Sequence, residues 1–111
     1  MADVFTSVGK NRAMNGIKDA ISSIELLEDT GASIEEETIT GSSFTVDSGG
    51  EISNNTIITF TIAEVDVDKT VASVELKNVS GVMIRLDLDA NVSLTTAGEA
   101  EFAVGALTAT L

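Results

Sequence analysis

"SVELKNVSGVMIRLDLD", Ser73–Asp89, is the stretch whose reading decides the fold. In its first half Val74 and Leu76, with Ala72 before them, alternate with Ser73, Glu75 and Lys77. In its second half Val82, Ile84, Leu86 and Leu88 alternate with Met83, Arg85, Asp87 and Asp89. A period of two belongs to a strand with one face buried and one face in water. Asn78 and Gly81 between the halves are residues that tight hairpin turns favour. The stretch predicts two antiparallel strands whose apolar side needs a second layer to cover it.

The same period extends outward. Upstream, "TIITFTIAEVDV" (Thr56–Val67) is the longest strand pattern. It turns Ile58, Phe60 and Ile62 inward, then Val65 and Val67. The change of parity predicts a bulge near Ala63–Glu64. "IELLE" (Ile24–Glu28) predicts a first strand, "DTGASIEEE" (Asp29–Glu37) an acidic loop, and "ETITGSSFTV" (Glu37–Val46) a strand or a pair of short ones. "DSGGEISNN" (Asp47–Asn55) predicts a turn or loop. Downstream, "NVSLTT" (Asn91–Thr96) predicts a short strand. "AEFAVGALTATL" (Ala100–Leu111) closes the chain, with Phe102 and Val104 on one parity, Leu107, Ala109 and Leu111 on the other, and Gly105 as the kink between them. About seven strands at 8–12-residue spacing indicate an antiparallel β-sandwich or a jelly-roll-like barrel. The expected core is Phe60, Ile62, Val74, Leu76, Ile84, Leu86, Phe102 and Val104.

Residues 3–20 break the pattern and predict a helix with Asp3 as N-cap. Phe5, Val8, Met14, Ile17 and Ile21 form its apolar stripe, and Ala13, Gly16 and Ala20 allow close packing. Gly9 and Gly16 oppose a helix, so the alternative is an extended arm with the helix beginning near Gly9. The expected fold is mainly β with one N-terminal helix or arm. It forms a single domain over 1–111, with 1–22 as arm or helix and 23–111 as strands.

Composition bounds the chemistry. The 111 residues carry a net charge of −12 with 43% hydrophobic residues, enough apolar material for a folded core. The chain has no Cys, so it offers no disulfide and no thiolate nucleophile or ligand. The absence of His removes the usual base near neutral pH and the commonest metal ligand. With no Trp or Tyr and only Phe5, Phe44, Phe60 and Phe102 aromatic, platforms for stacking sugars or bases are nearly excluded. Strong negative charge disfavours nucleic acid. No apolar run reaches the roughly 18 residues of a membrane helix, and the N-terminus has no signal-peptide core. The expectation is a soluble protein made and assembled in the cytoplasm, with no catalytic residues, no cofactor and no metal.

Several constellations could still carry a function. Asp66 with Asp68, and Asp87 with Asp89 and Asn91, would converge in pairs on a strand face, and oxygen clusters of this kind suit calcium. Ordinary solvated positions explain them equally, and no loop has the spacing of a helix–loop–helix calcium site. Paired carboxylates also serve glycosidases. Glu35–Glu37 reads as a solvated loop or a contact for a basic partner. Asn54, Asn78 and Asn91 match glycosylation sequons, which mean nothing without secretion. Charge is segregated more tellingly. Residues 1–20 hold Lys10, Arg12 and Lys18 against Asp3 and Asp19, net +1, while the remainder holds three cations against sixteen acids, net −13. Phe5, Lys10, Asn11, Arg12 and Lys18 are therefore the candidate partner-docking residues. Lys10 and Arg12 would share a face only in an extended arm over Gly9–Arg12. The plainer reading is local charge compensation of the chain's own body.

"FTSVGKNRAMNGI" (Phe5–Ile17) followed by "SSIELLEDTGASI" (Ser22–Ile34) resembles the start of a family of small tailed-phage virion proteins, commonly labelled tail-fibre or minor structural proteins. The matching residues are Phe5, Gly9, Lys10, Asn11, Ala13, Met14, Asn15, Ile17, Ile24 and Leu26. Residues 73–111 also follow the family's habit, with a Gly98–Glu99 turn and a last "GALTATL" strand. Where the family has a "GGSYAR"-like segment, this chain has "IEEETITGSSF" (Ile34–Phe44). The resemblance implies a non-enzymatic virion part with a β-sandwich core. The expected function is a capsid decoration or cement protein that stabilises the head. Its partners would be the major capsid protein or other virion subunits, and a homotrimer would suit three-fold positions. The alternative is a tail-fibre or baseplate component that contacts the host. More distant are a calcium-binding adhesive module and a carboxylate-pair hydrolase.

Overall fold

A computed structural model describes residues 6–86, 88 and 91–110. The expected N-cap Asp3, the docking residue Phe5, the acids Asp87 and Asp89, and the terminal Leu111 lie outside the described residues. The fold is mainly β, an antiparallel β-sandwich with one N-terminal helix.

One four-stranded sheet is built from β1 (Ser23–Leu27), β2 (Ser33–Thr38), β7 (Ser73–Asn78) and β8 (Gly81–Leu86), in the order β2-β1-β7-β8. The quoted hairpin supplies half of it. The opposing elements are smaller. β3 (Phe44–Val46), β4 (Glu51–Asn54) and β11 (Thr108–Thr110) form a three-stranded sheet in the order β11-β4-β3. β5 (Ile58–Ile62) pairs with β10 (Gly98–Phe102), and β6 (Thr70–Val71) pairs with β9 (Val92–Ser93). β2 runs beside β5 and β11 beside β8, so the layers meet along both seams.

The central sheet is held by β1 against β7, where Ile24 faces Leu76 and Leu26 faces Val74, all four fully buried. From the other side come Phe44, Ile52, Ile58, Phe60, Leu107 and Ala109. Phe60 and Phe102 meet edge to face, with centroids 5.8 Å apart and planes at 84°. This is the favoured arrangement of two ring quadrupoles.

The helix α1 spans Ser7–Asp19, and Thr6 is its N-cap, its hydroxyl accepting from the Gly9 amide at 3.1 Å. The alternative of an extended arm over Gly9–Arg12 is therefore wrong, since those residues are helical. Met14 is fully buried and Ile17 packs beside it, as the apolar stripe predicts. Val8 departs from the stripe and is 65% exposed.

Five further expectations are corrected. Glu35–Glu37 lie in β2 rather than in a loop, and Glu51–Asn54 form β4 within the expected turn region. After Ile62 the chain leaves the sheet through a 3-10 turn at Glu64–Asp66, so the parity change is the end of a strand and not a bulge. Val65 is accordingly 78% exposed. Register shifts occur instead between β1 and β2, where Leu26 faces Glu35 but Leu27 faces Ser33, and in β8, where Leu76 faces Ile84 but Lys77 faces Val82. The extra residue, Met83, flips everything before it to the other face. Val82, expected inside, is 53% exposed, while Met83 packs against the core beside a partly buried Ile84. Val104, also expected in the core, is 61% exposed because the alternation of β10 stops at Phe102 and the chain turns at Gly105.

That turn is held by Asn54. Its side chain, 1% exposed, donates to the carbonyls of Thr56 (2.9 Å) and Ala103 (2.8 Å) and accepts from the Leu107 amide (3.0 Å). Its own carbonyl accepts from Gly105 at 2.9 Å. One asparagine thus joins the end of β4 to the β10–β11 connection, and the sequon it begins is inaccessible to a sugar.

Two stability predictions follow from these positions. Leu86→Ala should cost about 2–5 kcal/mol, the price of a core cavity, whereas Val82→Ala should be nearly neutral. Equal losses in urea unfolding would show that the bulge is misplaced. Asn54→Ala should cost about 2–4 kcal/mol because its buried partners lose their bonds. Asn55→Ala, one residue on and exposed, should cost far less.

Candidate functional site

The expected docking residues sit on α1, and the structure shows how each is placed. Asn11 Nδ2 donates to the Asp47 carbonyl at 2.6 Å, latching the helix to the β3–β4 turn. That turn is self-supported, since Asp47 Oδ1 accepts from the amides of Gly49 (2.8 Å) and Glu51 (2.9 Å). Lys10 rests on Gly50, which has φ +85° and so close an approach that a Cβ there would lie 2.6 Å from the Lys10 Cβ. Gly50 is therefore required twice over, by its left-handed backbone and by the helix above it. At the other end of α1, a Cβ on Gly41 would collide with the Lys18 carbonyl. Lys10, Asn11 and Lys18 thus belong largely to the seam between the helix and its own sandwich. Lys18 Nζ also stands 3.8 Å from Asp19. Arg12 alone among the four is exposed.

The three remaining cations are all engaged within the body. Lys69 Nζ binds Asp66 Oδ1 at 2.7 Å, and Asp66 is only 6% exposed. This carboxylate raises the Lys69 pKa above its ordinary value. Lys77 lies between Glu36 (3.3 Å) and Glu25 (3.5 Å), and Arg85 binds Glu75 at 2.9 Å. These last residues form one row across the outer face of the four-stranded sheet, because Glu36 faces Glu25, Glu25 faces Glu75, and Glu75 faces Arg85. Like charges directly opposite one another destabilise a sheet. Two cations and the hydroxyls of Ser23 and Ser33, each 2.7 Å from a glutamate, relieve that repulsion. The Ser23 hydroxyl, aided by Lys77, holds the Glu36 pKa below its ordinary 4.5. Glu36 in turn raises Lys77 above 10.5. Glu37 does a different job, accepting from the Thr61 amide at 3.2 Å on the open edge of β5.

The expected carboxylate pair Asp66 and Asp68 does not converge. Asp66 is buried on Lys69, and Asp68 follows a 3-10 turn with φ 75°, its amide donating to the Leu94 carbonyl. Asp68, Asn91, Glu28, Asp29, Lys69 and Thr70 line an open cleft of about 430 Å³. Among the described residues, no group of three or more acids gathers closely enough to hold a metal ion. No helix there is long and apolar enough to cross a membrane. Asn78 Oδ1 accepts from the amides of Ser80 and Gly81, so this sequon residue builds the hairpin turn.

No family model, no curated protein and no solved structure matches the chain.

The Lys77–Glu36 contact predicts a pH signature. A lowered Glu36 pKa contributes stability that is complete above 4.5 and lost as pH falls through the folded value. A raised Lys77 pKa contributes stability that is complete below 10.5 and lost as pH rises through its folded value. In urea unfolding, the difference between the wild type and Lys77→Met should stay constant through the neutral range and shrink at both extremes. A difference that grows toward acid would refute the pairing.

Proposed function

We propose that this chain is a non-enzymatic structural protein of a tailed-phage particle, a decoration or cement protein that stabilises the head by docking on the major capsid protein as a homo-oligomer. The observation that carries the reading is the disposition of charge. The body's Lys69, Lys77 and Arg85 are spent on its own carboxylates, which leaves an acidic exterior and one helix rich in cations. An acidic exterior keeps the subunit soluble before assembly and off the enclosed DNA. A sandwich whose polar row is internally paired suits a part that must remain folded while it waits for a partner. The resemblance of residues 5–34 and 73–111 to phage virion proteins supports the same class.

Copy number in purified particles tests this. Quantitative mass spectrometry should find on the order of hundreds of copies per particle, as a lattice of symmetric contacts requires. About a dozen copies would place the protein in the tail, and its absence from particles would reject a virion role.

A further inference from the structure

We propose that the outward face of α1 is a two-fold docking surface for a second copy of this chain, with Gly16 at the crossing point and Arg12 of each copy paired with Asp19 of the other. The inference stands on the helix alone and does not depend on the virion reading.

At 100° per residue, Val8, Arg12, Gly16 and Asp19 fall within about 80° of one another around the helix axis. All four are exposed, Val8 at 65% and the Asp19 side chain at 77%. Among the described residues the Arg12 side chain has no hydrogen bond or ion pair, in a chain with 18 acids. Gly16 is equally unexplained by the fold. Glycine within a helix weakens it relative to alanine, yet a Cβ at Gly16 would meet nothing within 4 Å. Gly41 and Gly50 are required by contacts with the helix, whereas Gly16 leaves an open notch on the surface.

The face is complementary to itself in one orientation only. Arg12 lies about 6 Å along the axis from Gly16 on one side, and Asp19 about 4.5 Å on the other, at 1.5 Å per residue. Two antiparallel helices related by a two-fold at Gly16 therefore bring each Arg12 beside the opposite Asp19, forming two equivalent ion pairs. A parallel arrangement would set Arg12 against Arg12. Lys18 at 3.8 Å leaves the Asp19 carboxylate open to a better partner, and guanidinium groups bind carboxylates bidentately. The notch lets the backbones approach, and each Val8, about 12 Å from Gly16, projects past the end of the opposite helix. Elsewhere two bodies of net −12 repel, so a contact this small yields a weak, exchanging dimer.

Sedimentation equilibrium of the full chain, up to roughly millimolar concentration, tests the pairing. The wild type should pass from monomer to dimer. Arg12→Glu and Asp19→Arg should each weaken dimerisation about tenfold or more, and the double variant should recover most of it. Gly16→Leu should abolish the dimer while melting no lower than the wild type, since the monomer has room for the side chain. A wild type that stays monomeric throughout, a trimer indifferent to these residues, or a double variant no better than either single one would overturn the proposal.

Discussion

Antiparallel pairing of β1 with β7 is the constraint on which the rest depends. Residues about fifty apart in sequence meet in one register, Ile24 on Leu76 and Leu26 on Val74. A slip of one residue would carry the slipped strand's two side chains from the core to water. The same register places Glu25 opposite Glu75 on the outer face and therefore dictates where the cations must stand. Lys77 and Arg85 answer the carboxylates that this register brings together on the outer face.

The helix is the second consequence. A sheet of four strands facing smaller sheets leaves part of the core uncovered, and Met14 fills it with no exposed surface. The seam is made by backbone proximity more than by charge. Gly50 and Gly41 let α1 come close, and Asn11 fixes it to Asp47. This explains why a segment rich in cations is mostly an internal packing element. Its charges offset an acidic body, while its outward stripe of Val8, Arg12 and Gly16 is left to other uses.

A chain of net charge −12 must manage its own repulsion. It does so by spending each cation of the body locally and by using serine hydroxyls as neutral donors to carboxylates. Hydroxyl donors relieve a carboxylate without adding opposite charge, so the exterior stays acidic.

The amino-acid sequence by itself determined the mainly β class, the β7–β8 hairpin, the N-terminal helix and most of the core, from Phe60 and Ile62 to Leu86 and Phe102. These follow from local periodicity and turn chemistry, which a strand or helix carries within itself. Tertiary structure alone decided the rest. The bulge at Met83 put Val82 outside, and the stop at Phe102 exposed Val104. Asn54, legible only as a residue of a polar turn, became a buried hub because β4 ends where the β10–β11 connection must be held. Of the candidate docking residues, Arg12 and Lys10 looked alike in sequence. Only the position of Gly50 beneath the helix separates them, placing one in the seam and the other in water. Such outcomes depend on which distant segment supplies the neighbouring atoms, and pairing across dozens of residues leaves no mark in the local pattern.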